Sequence, residues 1–260
     1  MAFKTWRTGV HIQQDSVLAV SLTKEKSGWC LRRWWQIPLA DDIVRDAKII
    51  HPEQLVSALL GWSQALPHHH RIFLAFPAVR TLQKVLPCPA MSLRDSEQVS
   101  WITSALSREL EMAPDALCFD YVQDTFSKSF HVTAAQNKEV AVLLDIAATL
   151  RLHLASITPD AGAMANLLPS LTHPVQCVAW RDDNHWLWAM RHQWGRKALS
   201  EAANSGELAA LLAISPEEIA LFGHDGLDPL SLMTCCHPPL PENGADFTVA
   251  LALAMGEMYE

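Results

Sequence analysis

Two short runs of potential metal ligands stand out in the sequence, His68–His70 and Cys235–His237. Three successive histidines on a regular backbone cannot all face one ion, which favours a solvated turn after Pro67. The second run offers the thiolate and imidazole ligands that Zn²⁺ binds, but no fourth ligand stands at the spacing of a zinc site. The sequence therefore favours no metal, and a metal-dependent enzyme that uses Cys235–His237 remains a third hypothesis for function.

Serine nucleophiles and phosphate-binding loops both depend on glycine, and glycine is scarce in this chain. A nucleophilic serine of the hydrolase type needs a Gly-x-Ser-x-Gly turn, and Ser16, Ser200 and Ser205 have no such setting. The 10 glycines among 260 residues are about 4% of the chain, against an average of about 7%. Because glycine lets a backbone approach phosphate closely, the shortage weighs against a nucleotide cradle built from main-chain amides.

The charge balance argues against direct nucleic-acid binding. The chain has 20 basic and 28 acidic residues and a net charge of −8 with neutral histidines. A surface of this sign repels a phosphate backbone unless it carries a local basic patch, and we find no such patch in the sequence. Half of the residues are hydrophobic and 18% are charged, which is typical of a globular protein and excludes disorder over most of the chain.

The sequence also lacks the pattern of a membrane anchor or a secretory leader. Its start has no apolar run typical of a signal peptide. The longest stretch without a charged residue, Ala161–Trp180, contains two prolines and several polar side chains, unlike a membrane span. Six cysteines without a Cys-x-x-Cys pair are typical of reduced core thiols. We therefore expect a cytoplasmic protein.

The polarity pattern predicts two lobes of related α/β build. The first forty residues alternate like a β-meander, and a similar arrangement of strands followed by helices restarts after residue 160. Two such repeats are best explained by two packed α/β layers. Strands are predicted near 8–12, 16–22, 29–37, 72–76, 81–86, 117–122, 130–135, 176–180, 186–191 and 219–222, and an apolar closing helix is predicted over 247–258.

The segment from Gly9 to Leu22 resembles the first phosphate loop of the PilM family of actin-like proteins, which typically has Gly-Ile-Asp-Ile-Gly-Ser-Ser-Ser-Ile-Lys there. Further similarity runs in the same order over nearly the whole chain. It lies in the segments 42–50, 76–77, 86–87, 89–92, 119–121, 134–135, 157–160 and 250–254. By this resemblance the chain is identified as a member of the PilM family.

The resemblance implies an α/β, actin-like ATPase (ribonuclease H-like) fold. Its first lobe would span 1–160 and contain an inserted α/β subdomain at about 71–156, and its second lobe would span 161–260. It also implies residence at the cytoplasmic face of the inner membrane, in a type IV pilus or DNA-uptake apparatus. Family members grip the N-terminal cytoplasmic tail of a single-pass, PilN-like membrane protein in a cleft bordered by the inserted subdomain.

The first phosphate loop departs from the family pattern at the positions that organise the metal ion and contact the phosphates of ATP. His11 replaces the metal-organising Asp, Gln13 replaces Gly, Gln14 and Asp15 replace small Ser residues, Leu18 replaces Lys, and Ser16 is retained. Mg²⁺ prefers hard oxygen ligands, so a neutral imidazole is a poor substitute for the carboxylate. A carboxylate at position 15 would in addition repel a triphosphate.

The other two nucleotide-binding loops also match the family pattern poorly. The second loop should be an Asp-x-Gly on a hairpin at 178–184, where the sequence has no glycine. The adenosine-side loop is matched only weakly, by Gly223 and Gly226. Each lost charged hydrogen bond costs about 1.5–3 kcal/mol, so the combined changes should weaken nucleotide binding by several kcal/mol. The sequence thus predicts a non-catalytic adaptor without a cofactor. The alternative is an ATPase that still binds Mg-ATP and drives assembly of the same apparatus.

The partner's tail would bind along a strand of the inserted subdomain. Arg80, Leu82 and Lys84 occupy alternate positions there, at the border of the cleft that the resemblance assigns to the tail. A tail strand could add through main-chain hydrogen bonds while apolar pockets select its side chains. The solvated face of an ordinary strand is the alternative for these residues. The sequence leaves a homodimer open, and any link to DNA is expected to be indirect.

Overall fold

The computed structural model describes residues 5–91, 93–124, 127–182, 184–223 and 226–256. The strands of this part are β1 Trp6–Ile12, β2 Ser16–Glu25, β3 Gly28–Pro38, β4 Val44–Arg45, β5 Lys48–Ile49, β6 His70–Phe76, β7 Thr81–Pro87, β8 Leu117–Asp124, β9 Ser129–Gln136, β10 Leu154–Pro159, β11 Cys177–Arg181, β12 His185–Met190, β13 Trp194–Ala198, β14 Ile219–Phe222 and β15 Cys235–Cys236. Its α-helices are α1 Pro52–Gln64, α2 Asp95–Leu110, α3 Asn137–Thr149, α4 Asp160–Ala163, α5 Ser205–Leu212 and α6 Thr248–Met255.

The main sheet has six strands in the order β10-β6-β1-β2-β3-β15. Strands β1, β2 and β3 form the antiparallel meander that the alternating pattern predicted. Strand β6 then adds to β1 in parallel, and β10 adds to β6 in parallel. The first eight residues of β2 are all buried, as expected for a central strand covered on both faces.

A second sheet has four strands in the order β13-β12-β11-β14. Strands β11 and β12 form the predicted hairpin, and β14 pairs with β11 in parallel. Helix α6 is buried along its whole length and shares one hydrophobic cluster with both sheets, including Leu18 of β2 and Val178 of β11. The closing helix was predicted to reach 258, but it ends at Met255, and residues 257 and 258 lie outside the described residues.

The chain divides into two compact units, 1–79 together with 146–260, and 80–145. The smaller unit contains the sheet β7-β9-β8 and α2, with a core of its own around Ile102, Leu106 and Phe130. The predicted inserted subdomain, about 71–156, is therefore too wide. The reason is that β6 and β10, which it included, are hydrogen-bonded into the main sheet.

The predicted boundary of the second lobe, 161–260, also needs a correction. Strand β15 lies within that range but pairs with β3 of the main sheet, with Cys235 opposite Cys30. A strand of two residues carries no periodicity of its own, so the sequence pattern could not reveal this crossover.

Candidate functional site

The turn between β1 and β2 carries the residues predicted as the first phosphate loop. The backbone N–H of Gln13 donates to the carbonyl oxygen of Ser16 at 2.8 Å and closes the turn. The Ser16 hydroxyl lies 2.9 Å from Asp15 Oδ1 and 3.3 Å from Gln13 Oε1. Gln13 Nε2 lies 3.5 Å from His11 Nδ1. The polar side chains of this turn therefore face one another, and Gln14 at its tip is exposed.

His11 is the buried end of this chain of contacts. Only 7% of the residue is exposed, and its ring meets Trp180 of β11 edge-on, with 6.2 Å between the centroids. Burial lowers the pKa of His11 to about 4, partly opposed by the negative charge of Asp182. The imidazole is therefore neutral at neutral pH, so the position carries neither the charge nor the hard oxygen ligands of a carboxylate.

Asp182 closes the second predicted loop, between β11 and β12. Its Oδ1 accepts the backbone N–H groups of Asn184 at 2.8 Å and His185 at 2.5 Å, while its own N–H donates to the His185 carbonyl oxygen at 3.0 Å. An Asx turn of this kind satisfies the amides of a loop with the chain's own carboxylate. Asp183, which also belongs to the predicted loop, lies outside the described residues.

Asp160 is a buried carboxyl group that belongs to the matched segment 157–160 but to which the sequence assigned no role. It follows β10, is 8% exposed, and its Oδ1 accepts the backbone N–H of Ala78 at 2.9 Å and of Ala161 at 2.6 Å. Burial raises the pKa of Asp160 to about 6, against the two N–H groups and the charge of Arg196, which lower it. The available signal was an acidic residue placed directly after Pro159 at the end of an apolar strand.

The two predicted glycines, Gly223 and Gly226, form a separate turn after β14. Gly223 has φ of +143°, and its carbonyl oxygen accepts the N–H of Gly226 at 3.2 Å. A Cβ on Gly226 would lie 2.2 Å from the Leu221 carbonyl oxygen. This contact alone accounts for glycine at 226, because any side chain would collide with the backbone. His224 and Asp225 between them lie outside the described residues.

The residues predicted to bind a partner lie in the smaller unit, and both cations are paired there. Arg80 was predicted on a strand but ends the 3₁₀ turn Ala78–Arg80 that precedes β7. Its guanidinium binds both carboxylate oxygens of Glu139, with Nε 3.1 Å from Oε2. Lys84 on β7 pairs with Glu109. Leu82 lies between them on β7, partly exposed.

Comparisons with known proteins identify the family and the fold of the chain. No protein-family model matches the chain. The DNA utilization protein HofM of Escherichia coli (strain K12) is 48% identical over 259 residues, and the match covers 100% of both chains. The chain belongs to the HofM family.

Solved structures are similar to this HofM-family chain in fold. The PilM-PilN type IV pilus biogenesis complex matches with a TM-score of 0.70 and 14% identity over 98% of each chain. The cytoplasmic domain of EpsL, an inner membrane component of the type II secretion system of Vibrio cholerae, matches with a TM-score of 0.57 and 10% identity over 95% of this chain and 92% of that domain.

A protein of Bacteroides thetaiotaomicron with an actin-like ATPase fold matches with a TM-score of 0.51 and 8% identity, over 98% of this chain and 97% of its own. At such identities the likeness concerns the fold, and it confirms the predicted α/β, actin-like architecture. Among the described residues of this HofM-family protein, no helix combines the length and apolar content that crossing a bilayer requires.

Proposed function

We propose that this protein is a non-catalytic, actin-like adaptor of a type IV pilus-like or DNA-uptake apparatus at the cytoplasmic face of the inner membrane. It binds the N-terminal cytoplasmic tail of a single-pass, PilN-like membrane protein. Two comparisons support the proposal: the full-length similarity to a protein named for DNA utilization, and the fold shared with a PilM-PilN complex.

The hydrogen bonds within the first predicted phosphate loop are the observation that supports a non-catalytic function. The backbone N–H of Gln13 donates to the carbonyl oxygen of Ser16, and the Ser16 hydroxyl contacts the side-chain oxygens of Asp15 and Gln13. In place of a metal-organising carboxylate stands the neutral ring of His11. Binding Mg-triphosphate here would break these contacts and place phosphate beside the charge of Asp15, without a lysine to offset the repulsion.

Titration with Mg-ATP tests this part directly. A ligand at 100 times its Kd stabilises the folded state by about 2.7 kcal/mol, which raises the melting temperature by several degrees. We expect no rise at millimolar Mg-ATP and no release of inorganic phosphate. A rise that His11→Ala abolishes would support the alternative, an ATPase that still closes over nucleotide.

The outer strand β7 is the proposed docking place of the tail. In the described part of the smaller unit β7 is an outer strand, hydrogen-bonded to β9 on one side. Because Arg80 and Lys84 are held by Glu139 and Glu109, we assign recognition to main-chain hydrogen bonds and to the side chain of Leu82. Strand addition of this kind takes affinity from the backbone and selectivity from alternate side chains.

Calorimetric titration with a synthetic tail peptide tests the docking. The peptide is the N-terminal cytoplasmic segment of the PilN-like protein encoded by the same organism. Leu82→Ala should weaken binding about tenfold, or about 1.4 kcal/mol, and N-methylation of alternate peptide amides should weaken it further. Leu60→Ala, at an exposed leucine of α1, is the matched control. Equal affinity of wild type and Leu82→Ala would refute docking at β7, and no binding at all would refute the proposed partner.

A further inference from the structure

Three potential metal ligands meet at the short strand β15. In the part of the chain that the structure describes, Cys30, Cys235 and His237 form the one group of at least three His, Cys, Asp or Glu side chains whose ligand atoms all lie within 4.8 Å of one another. Cys30 is buried, whereas Cys235 and His237 are exposed. The Cys235–His237 run lacked further ligands in the sequence, and the fold supplies Cys30 from β3.

The pairing of β15 with β3 explains why these side chains converge. Cys235 lies directly opposite Cys30 in the parallel ladder, and the His237 N–H donates to the Leu31 carbonyl oxygen at 3.1 Å and continues the pairing. Side chains alternate along a strand, so positions 235 and 237 point to the face that Cys30 occupies. Cys236, between them, packs against the main hydrophobic cluster.

The backbone around the group is fixed on both sides. Thr234 donates both its N–H, at 2.9 Å, and its hydroxyl, at 3.0 Å, to the Trp29 carbonyl oxygen. Gly28 makes room for this approach, because a Cβ there would lie 2.6 Å from Thr234 Cγ2. Ligands on anchored backbone lose little conformational freedom on binding, which favours a preorganised site.

The ring of His237 is oriented by Arg32. Arg32 NH1 lies 2.7 Å from His237 Nε2, and since a guanidinium can only donate, Nε2 is the acceptor in this contact. Arg32 is itself held by Glu25 at 2.6 Å and by Thr23 Oγ1 at 2.8 Å. A histidine binds a metal ion through the lone pair of a ring nitrogen. An ion would therefore take the lone pair of His237 in place of one Arg32 N–H.

We infer that Cys30, Cys235 and His237 form a three-ligand site for a soft or borderline d¹⁰ cation of the Zn²⁺ class. Two thiolates and one imidazole match the ligand preference of Zn²⁺, which binds sulfur at about 2.3 Å and nitrogen at about 2.0–2.1 Å. In a tetrahedron of those lengths the ligand atoms lie about 3.7 Å apart, so a closing movement of about 1 Å by side-chain rotation suffices. Because Cys235 and His237 face solvent, water completes the fourth position. The bound ion ties β15 to β3.

The test uses the full chain, purified without a tag, stripped of metal and kept reduced. Zn²⁺ is titrated in competition with a chromophoric chelator, and Co²⁺ is added separately to record thiolate-to-metal charge transfer. We expect one Zn²⁺ per chain and a Co²⁺ spectrum with thiolate bands. Loss of an outer partner of a metal site typically costs 10–100-fold in affinity, so Cys235→Ser and His237→Gln should each cost at least about tenfold. Cys30→Ser should do the same where it folds.

Cys236→Ser is the matched control, since Cys236 is adjacent in sequence but packs towards the core. It should leave the Zn²⁺ affinity unchanged, and in the wild type Zn²⁺ should slow alkylation of Cys235 and not of Cys236. Three results would overturn the inference: no stoichiometric binding at micromolar Zn²⁺, a Co²⁺ complex without thiolate bands, or an equal loss of affinity in Cys236→Ser and Cys235→Ser.

Discussion

Gly9 of β1 lies so close to Ala250 of α6 that a Cβ on Gly9 would stand 1.8 Å from the Ala250 carbonyl oxygen. The helix thus rests on the backbone of the strand. Small side chains make this approach feasible, because alanine occupies positions 250, 252 and 254 of the wholly buried α6. The first glycine of the phosphate-loop pattern therefore has a packing role that is independent of nucleotide.

Gly9→Ala should accordingly destabilise the protein. Overpacking a core costs about 1–3 kcal/mol and occasionally more, and here the obstacle is backbone, so we expect a loss of about 3 kcal/mol or more in urea unfolding. Gly61→Ala is the matched control: Gly61 is exposed on α1 with nothing within 4 Å of its Cβ position, and alanine there should stabilise by up to about 1 kcal/mol. A loss at Gly9 below about 1 kcal/mol would contradict the packing role.

Local pattern predicted the elements that lie close together along the chain. The β1–β2 and β11–β12 hairpins were predicted because alternating apolar residues flank short polar turns. Strand β13, Trp194–Ala198, was missed because its five residues are all half-buried and include glycine and two cations, which leaves no alternation.

The parts of the site that the sequence could not give depend on contacts between distant residues. Arg80 is paired with Glu139, 59 residues away, and Asp160 accepts the N–H of Ala78, 82 residues away. Cys30 and Cys235 become neighbours only through β15. Such pairings leave no periodic signal, since periodicity reports only which face of an element is buried.

Restoring the lysine of the family pattern at Leu18 should destabilise the fold. Leu18 is 1% exposed and belongs to the main hydrophobic cluster, so Leu18→Lys places an unpaired ammonium in the core. An uncompensated buried charge typically costs about 3–5 kcal/mol, whereas Leu18→Met should cost less than about 1.5 kcal/mol. We expect this difference in urea unfolding, with no stabilisation of either variant by Mg-ATP. Stabilisation of Leu18→Lys by Mg-ATP would speak for a competent nucleotide loop.

The pair Arg80–Glu139 should contribute more to stability than the pair Lys84–Glu109. Glu139 is 11% exposed and is bound through both oxygens, whereas both partners of the second pair are about one-third exposed or more. Bidentate geometry and burial strengthen an ion pair, and exposed pairs contribute little. Double-mutant cycles with alanine should give a coupling energy of about 1 kcal/mol for the first pair and about 0.3 kcal/mol for the second. Equal couplings would contradict the assigned geometry.

His11 and Asp160 should give opposite pH dependences of stability. Burial lowers the pKa of His11 from 6.5 to about 4, so this group stabilises the fold above about pH 6.5 and the contribution is lost as the pH falls through about 4. Burial raises the pKa of Asp160 from 3.8 to about 6. Its contribution is therefore present below about pH 3.8 and is lost as the pH rises through about 6. In the wild type the two groups therefore change the free energy of unfolding with pH in opposite directions.

Removing either group should reveal how the other alone changes the free energy of unfolding with pH. Asp160→Asn keeps an oxygen acceptor for the N–H groups of Ala78 and Ala161 but no longer titrates, so its free energy of unfolding should fall more steeply than that of the wild type between about pH 7 and pH 4.5. His11→Gln should do the reverse and lose less stability, or gain some, over the same interval. Asp182 and Arg196, the charges that act on these groups, are common to both variants and cancel in the comparison. Urea unfolding across this interval measures the three profiles, and parallel profiles would show that neither group changes its protonation on folding.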